Sequence, residues 1–183
     1  ASCLVGSEMC IRDRHNIVPI VEPEVLMDGS HSIGRCEEIT NAALSAVFQE
    51  LREHEVALEG IILKPNMIIS GAHAANRAST AEVAEATVRC LRANVPHDVP
   101  GIAFLSGGQS SEEATEHLNL MNKMGDFPWE LSFSYGRALQ AAPLNVWQGE
   151  ERNFDAAQAT FIKRARLNSL AHQGKYSVDM EAE

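Results

Sequence analysis

Short apolar runs alternate along the chain with longer segments that carry apolar residues every three or four positions. The runs occupy residues 17–21, 60–64, 101–105 and 131–135. Successive apolar residues over so short a length, such as Ile61, Ile62 and Leu63, are typical of strands buried on both faces of a parallel sheet. The segments between the runs are long enough to hold the helices that connect parallel strands. The pattern therefore predicts four consecutive βα units.

Helical periodicity follows each apolar run. We predict helices over residues 35–54, after Ser79, after Ser110, briefly after Arg137, and over about 153–172. Ser79 and Ser110 each precede a glutamate by three positions, which is the spacing of a capping box. The residues expected to face the core are Ile39, Ala43, Val47 and Leu51, then Val83, Thr87, Val88 and Leu91, then Ala114, Leu118 and Met121, and finally Phe154, Ala157, Phe161 and Ala165. Trp129, Phe133 and Trp147 are also expected in the core.

Polar residues follow the strands at a fixed interval. Lys64 lies 42 positions after Glu22, and Ser106 lies 42 positions after Lys64. Because the carboxyl ends of parallel strands meet at one edge of a sheet, we expect these residues on one rim, with Arg137 after the fourth strand. An open doubly wound sheet and a closed barrel both fit this order. Four units are half of the eight in a (β/α)8 barrel, so we expect part of a barrel.

Composition narrows the classes of function. The 183 residues carry a formal charge of −10, which argues against a nucleic-acid surface because such a surface is basic. We expect no membrane span, since no apolar run approaches about 18 residues, and no signal peptide. Reduced thiols are expected because the cysteines are far apart and form no CxxC pair. They are Cys3, Cys10, Cys36 and Cys90. These features predict a soluble cytoplasmic protein.

Lys64 is the residue in this pattern with the most reactive side chain. A free lysine amine adds to a carbonyl group to give an iminium, an electron sink that eases cleavage of a neighbouring carbon–carbon bond. A nearby carboxylate must then move protons, and Glu22 is the candidate, with Glu24 in support. The plainer interpretation is that Lys64 reaches solvent from a strand end and pairs with Glu22.

Two glycine-containing segments are candidates for binding a phosphate. Ser106, Gly107 and Gly108 open a predicted helix, and glycines let backbone N–H groups approach an anion closely. Gly136 and Arg137 follow the fourth strand and add a guanidinium that can hold two phosphate oxygens. The alternative is that these glycines only form turns.

Two other kinds of site have weaker support. A zinc site is disfavoured because the seven histidines include no HxH or HxxH pair. A hydrolase triad built from Ser106, His31 and an aspartate is conceivable, but the G-x-S-x-G turn that exposes such a serine is missing.

Five groups of residues, taken together and in order, resemble the class I fructose-bisphosphate aldolases. They are residues 17–24, residues 58–60 with 63–67, residues 104–110, residues 133–140, and residues 168–171 with 173–176. The resemblance implies a (β/α)8 barrel of which strands five to eight are present. It makes Lys64 the Schiff-base lysine, Glu22 the proton-transferring carboxylate and Glu24 its supporting acid. By the same resemblance Ser106, Gly107, Gly108, Ser134 and Arg137 hold the substrate phosphates.

The resemblance also implies an activity and a setting. The family cleaves fructose 1,6-bisphosphate reversibly to dihydroxyacetone phosphate and glyceraldehyde 3-phosphate in glycolysis and gluconeogenesis, with no metal or organic cofactor, usually as a homotetramer. A cytoplasmic location is implied, with a plastid left open. Residues 16–176 are expected to form the C-terminal half of the barrel, residues 1–15 an unplaced and foreign segment, and residues 177–183 a tail.

Two alternatives stay open. The first is an inactive half-barrel that only binds phosphate anions or partners, because the first and last strands of an isolated half would have exposed edges. The second is another Schiff-base aldolase that acts on a different sugar phosphate.

Overall fold

A computed structural model describes Arg12, His15 and residues 17–182 of the chain. Its sheet contains four parallel strands in the order β1-β2-β3-β4. The strands are β1 (Ile20–Val21), β2 (Ile62–Leu63), β3 (Gly101–Phe104) and β4 (Glu130–Phe133). Neighbours in sequence are thus neighbours in the sheet. A doubly wound sheet would reverse its strand order at a switch point, whereas sequential parallel βα units are consistent with part of a barrel.

Five helices alternate with and follow these strands in the described part of the chain. They are α1 (Ile33–Glu53), α2 (Thr80–Asn94), α3 (Ser111–Lys123), α4 (Arg137–Trp147) and α5 (Phe154–His172). Short 3₁₀ turns lie at Leu58–Gly60, Glu151–Asn153 and Val178–Glu181. Both predicted capping boxes are confirmed, since the side chains of Ser79 and Ser110 accept hydrogen bonds from the backbone of the glutamate three positions on, and each glutamate accepts in return. The sequence therefore fixes where α2 and α3 begin.

The core lies between the helices and the sheet. The stripes predicted for α2 and α3 are confirmed, because all seven of those residues are buried. The stripe predicted for α1 is only partly right. Leu51 is buried, but Ile39, Ala43 and Val47 are half-buried. The buried residues of α1 are Cys36, Thr40, Leu44, Phe48 and Leu51. The apolar face of α1 is wide. The buried positions of α1 are therefore shifted by about one residue from the predicted ones, because packing against the rest of the fold decides which part of that face is buried.

The strand lengths required correction, most of all at the first strand. Residues 17–21 were predicted as a buried strand, but only Ile20 and Val21 pair with β2. Ile17, Val18 and Ile20 are 58%, 59% and 50% exposed. Among the described strands β1 has a neighbour on one side only, and these three side chains in or next to it remain at least half exposed. The second and fourth strands are also shorter than the predicted runs 60–64 and 131–135.

The burial predicted for three aromatic residues of α4 and α5 was also wrong. Phe154, Phe161 and Trp147 were expected in the core but are 48%, 45% and 41% exposed. They line an apolar groove between α4 and α5. The inward face of α5 instead contains two polar residues, Arg164 and Asn168, which hydrogen-bond to α3 or to α5 itself. The prediction failed because it assigned apolar residues to the inside and did not allow for a polar helix contact. Trp129, by contrast, is buried as expected.

The two ends of the chain differ in how much can be described. The prediction for residues 1–15 falls outside the described residues, except at Arg12 and His15.

Of the cysteines, Cys36 and Cys90 are buried and free, and burial raises the pKa of the Cys90 thiol to about 12. Near the C-terminus the predicted tail contains a 3₁₀ turn that packs on α5 through Glu181. No helix in the described part has the length and apolar character needed to cross a membrane.

Candidate active site

Backbone hydrogen bonds bring the carboxyl ends of the strands together. The N–H of Lys64 donates to the carbonyl of Val21 at 2.7 Å, so Lys64 lies beside the end of β1. The N–H of Leu105 donates to the carbonyl of Pro65 at 3.1 Å, which extends the ladder past β2 and β3. The first bond joins Lys64 itself to the end of β1. The second joins Leu105, the residue before Ser106, to the residue after Lys64. The main chain therefore sets the spacing of Glu22, Lys64 and Ser106 along one edge of the sheet.

Lys64 and Glu22 form an ion pair at this edge. The distance from Lys64 Nζ to Glu22 Oε1 is 2.9 Å, and the two side chains are 20% and 45% exposed. The amine is therefore partly covered while the carboxylate remains open to solvent. This is the geometry that direct proton transfer between the two groups requires, because the heavy atoms are already at hydrogen-bond distance.

Glu24 lies beside the loop that follows β3. In the described part of the chain Lys64 pairs with Glu22 and not with Glu24. A Cβ built on Gly107 would lie 3.3 Å from Glu24 Oε1, so this carboxylate sits beside the start of the loop after β3. The structure thus puts one carboxylate on the lysine and one next to the predicted anion-binding segment.

The segment after β3, residues 106–110, forms a tight turn that we call the glycine loop. Its Gln109 N–H donates to the Ser106 carbonyl at 3.2 Å. Gly108 has a φ of +73°, and a Cβ there would lie 2.7 Å from Met27 Cβ. Both the left-handed backbone and the close approach therefore require glycine at this position. Ser106 is buried, and Ser110 caps α3, whose first N–H groups follow the loop.

Buried side chains from elsewhere hold the first two turns of α3. The Tyr135 hydroxyl donates to the Ala114 carbonyl at 2.9 Å, and burial raises the pKa of that phenol. The Arg164 guanidinium donates to the Ser111 carbonyl at 3.0 Å. The Nδ1 of His117 lies 2.7 Å from Gln109 Oε1. Two polar contacts from outside the helix thus fix the first turns of α3, and His117 of α3 itself contacts the glycine loop.

The segment after β4, residues 134–137, is built differently, and we call it the arginine segment. Ser134 N–H donates to the Phe104 carbonyl at 2.9 Å, which keeps the segment beside the glycine loop. Gly136 has no side-chain cap and has space around its Cα. Arg137 is exposed, and no ion pair with another described residue is found for it. A guanidinium in this state is free to bind an anion.

Four residues that support the site were not predicted from the sequence: Asn66, His117, Tyr135 and Arg164. Asn66 is 2% exposed, and its Oδ1 accepts from the Val25 N–H at 3.0 Å, so it fixes the chain just after Glu24. Its Nδ2 donates to Thr40 in α1 at 3.1 Å. The available signal was a lone amide inside the apolar stretch 61–69. The partners of the other three lie far away in the sequence or on a helix face.

Other sites considered from the sequence find no support in the described part of the chain. No group of three or more His, Cys, Asp or Glu residues lies where it could hold a metal ion there. His31 and Ser106, which the triad hypothesis joined, form no hydrogen bond with each other among the described contacts. The described chemistry at the carboxyl edge is thus an amine, two carboxylates, backbone N–H groups and a guanidinium.

Comparisons with known proteins show the family of the chain. The model of the family "Fructose-bisphosphate aldolase class-I" matches residues 7–183. A fructose-bisphosphate aldolase of Dictyostelium discoideum is 47% identical over 167 residues, which are 91% of this chain and 47% of that protein. Fructose-bisphosphate aldolase C of Homo sapiens is 52% identical, over 91% of this chain and 46% of the human one. The chain spans about half the length of the curated relatives it matches.

A solved structure resembles the fold closely. It is the fructose-bisphosphate aldolase of Plasmodium falciparum, in complex with TRAP and a small molecule inhibitor, and it matches with a TM-score of 0.86 at 52% identity. The match covers 88% of this chain and 46% of that one. The fold is therefore aldolase-like. Because the family model covers more than half of the sequence, the chain belongs to the class I fructose-bisphosphate aldolase family.

Proposed function

We propose that Lys64 is the Schiff-base lysine of a carbon–carbon lyase that cleaves fructose 1,6-bisphosphate reversibly to dihydroxyacetone phosphate and glyceraldehyde 3-phosphate. The observation that carries the proposal is the ion pair between Lys64 Nζ and Glu22 Oε1 at 2.9 Å, at the carboxyl edge of a parallel sheet. An amine in this position needs a partner that can take its proton before it attacks a ketone, and Glu22 is within reach.

The proton transfers can be written in full for this pair. Glu22 takes a proton from the Lys64 ammonium, and the free amine attacks the ketone carbon to give a carbinolamine. Glu22 then returns the proton to the departing oxygen, which leaves as water, and an iminium forms. A carboxylate next removes the proton of the hydroxyl on the carbon β to the iminium carbon, and the bond between the α and β carbons breaks. The β carbon leaves as the aldehyde of glyceraldehyde 3-phosphate, and the electron pair of the broken bond moves to the iminium to give an enamine. Protonation of the enamine and hydrolysis release the second product and restore Lys64.

The phosphates of the substrate would bind beside this pair, at the ends of β3 and β4. We assign one to the backbone N–H groups of the glycine loop, through Ser106, Gly107 and Gly108. The other would bind to the arginine segment through Ser134, Gly136 and Arg137. Glu24, whose Oε1 lies beside Gly107, would support Glu22 as a second carboxylate able to move protons.

The assembly and setting of the protein are part of the proposal. The four strands would be strands five to eight of a (β/α)8 barrel, and the active form a homotetramer in the cytoplasm, with a plastid as the alternative. Sequential parallel order supports the barrel, since this is how barrel strands are arranged. The proposed role of the protein is in glycolysis and gluconeogenesis.

A second candidate function is favoured by the exposed first strand. Ile17, Val18 and Ile20 are more than half or half exposed, and uncovered apolar side chains at a sheet edge are typical of a surface that pairs with another chain segment. The chain alone would then be inactive and would bind phosphate only. It would need a complementary half-barrel before it could turn over substrate.

Turnover measurements separate these candidates. The chain is assayed for fructose 1,6-bisphosphate cleavage alone, and then mixed with the part of the Plasmodium falciparum aldolase that its match leaves uncovered. We expect activity only in the mixture, and none with Lys64→Met in either case. Activity that survives Lys64→Met would contradict the lysine's role. Full activity of the chain alone would contradict the need for a complement.

A further inference from the structure

We propose that His117 is a positioning residue for the glycine loop, and that it acts by holding the side chain of Gln109. The inference rests on the proposed function, in which the glycine loop binds a substrate phosphate, and it names a residue that gives the loop its shape. The observation that motivates it is the contact of 2.7 Å between His117 Nδ1 and Gln109 Oε1.

The contact joins a fixed element to the loop itself. His117 lies on the second turn of α3 and is 4% exposed, so its ring cannot change position without disturbing the core. Gln109 is a loop residue between Gly108 and the helix cap Ser110. Its backbone N–H closes the turn by donating to Ser106 at 3.2 Å. The contact with His117 therefore restrains Gln109, and the backbone N–H of Gln109 closes the turn of the glycine loop.

The ring is suited to act as a fixed donor. With Gln109 Oε1 as the acceptor, His117 Nδ1 carries the proton and the ring stays neutral. Two charged groups affect this ring, Glu113 on its own helix and Arg77 from the loop after β2, and these two form an ion pair at 3.3 Å. Burial lowers the pKa of His117 to about 4, so the neutral donor is present throughout the physiological range.

A purely structural role would be served better by an apolar side chain. At this position on α3 a leucine would fill the space without the cost of burying a ring nitrogen. In the described part of the chain the one hydrogen bond of His117 goes to the glycine loop. The polar residue therefore has its value in the loop contact rather than in packing.

Phosphate binding by the 183-residue chain tests this role. Inorganic phosphate is titrated while the backbone amide signals of Gly107 and Gly108 are followed by NMR. His117→Asn keeps an N–H donor where Nδ1 lies, because the amide nitrogen of asparagine occupies the equivalent position. His117→Leu keeps the burial and removes the donor. We expect the Asn variant to bind within about threefold of the wild type and the Leu variant to bind about tenfold more weakly, as for the loss of one hydrogen bond.

A loop variant keeps the test decisive if the core substitution lowers stability. Gln109→Met removes the acceptor without changing the core, and we expect the same loss of about tenfold. The double variant Gln109→Met, His117→Leu should lose no more than either single one, because both changes remove the same contact. Equal phosphate affinity in the wild type and both single variants would overturn the inference and leave the proposed function standing. No phosphate binding at Gly107 and Gly108 in the wild type would overturn both.

Discussion

The glycine loop and the arginine segment lie side by side at the ends of β3 and β4, yet Gly108 and Gly136 have opposite surroundings. The glycine loop is tied into the core, because Gly108 approaches Met27 closely and α3 is fixed by Tyr135 and Arg164. The arginine segment is buried at Tyr135, but Gly136 has open space around it and α4 has no side-chain cap. One anion site would thus be made of fixed backbone, and the other of a charge on a long side chain.

The difference indicates how the work of binding is divided. A rigid set of N–H groups binds an anion at one place and in one orientation. Because these groups are already ordered, the protein loses little conformational entropy when the anion binds. An arginine side chain reaches over a range of positions and follows its ligand. The comparison therefore predicts that substitutions in the two regions have effects of different kinds.

The largest expected effect separates two arginines. Arg164→Met should lower the free energy of unfolding by about 3–5 kcal/mol, because it leaves Glu181 without the partner that Arg164 Nη1 contacts at 2.6 Å. The matched change Arg137→Met should alter stability by less than about 0.5 kcal/mol, since Arg137 is exposed. Urea unfolding at neutral pH measures both. Equal losses in the two variants would mean that the regions are held alike.

The second effect concerns pH and the buried histidine near the glycine loop. His117 has a pKa of about 4 in the fold against 6.5 ordinarily, so the unfolded chain binds its proton first as the pH falls. Its contribution to stability is complete above pH 6.5, decreases as the pH falls from 6.5 towards 4, and is lost below that. The free energy of unfolding that is lost in this way is about 3 kcal/mol, because each unit of difference between the folded and unfolded pKa corresponds to about 1.4 kcal/mol.

Other groups also titrate in this window, so the measurement is a difference. Unfolding free energies of the wild type and His117→Asn are compared from pH 7.5 to 3.5. The wild type should lose more stability than the variant, and the loss should be confined to the range below pH 6.5. Parallel curves for the two proteins would contradict the burial of a neutral ring at this position.

A third, smaller effect compares the two glycines. Gly108→Ala should cost about 2–3 kcal/mol, because the added Cβ would lie 2.7 Å from Met27 Cβ and the φ of +73° is unfavourable for alanine. Gly136→Ala should change stability by no more than about 0.5 kcal/mol, since no atom lies within 4 Å of the added Cβ. Thermal unfolding of both variants measures the contrast. A cost at Gly136 as large as that at Gly108 would contradict the description of the arginine segment.

The sequence was informative where the signal is local. Short apolar runs and capping boxes predicted the parallel order and the starts of α2 and α3, because these depend on neighbouring residues. The residues after each strand were predictable for the same reason, since the ends of parallel strands share one edge. The pairing of Lys64 with Glu22 follows from that register.

The supporting contacts could not be predicted, because they join parts of the chain that are distant in sequence. Arg164 and Ser111 are 53 positions apart, and Tyr135 and Ala114 are 21 apart. The same limit explains the error in α5. Phe154 and Phe161 were predicted to lie on the buried face of α5. The face that contacts α3 instead contains Arg164 and Asn168. Only the tertiary contacts decide which face of such a helix is buried.

The most direct test asks which lysine forms an iminium. The chain contains four lysines, Lys64, Lys123, Lys163 and Lys175, so the other three are internal controls. The protein is incubated with dihydroxyacetone phosphate, reduced with borohydride and digested, and the peptides are weighed by mass spectrometry. We predict a single adduct on the peptide that contains Lys64, and none in Lys64→Met. An adduct on another lysine, or one that persists in the variant, would contradict the assignment of Lys64.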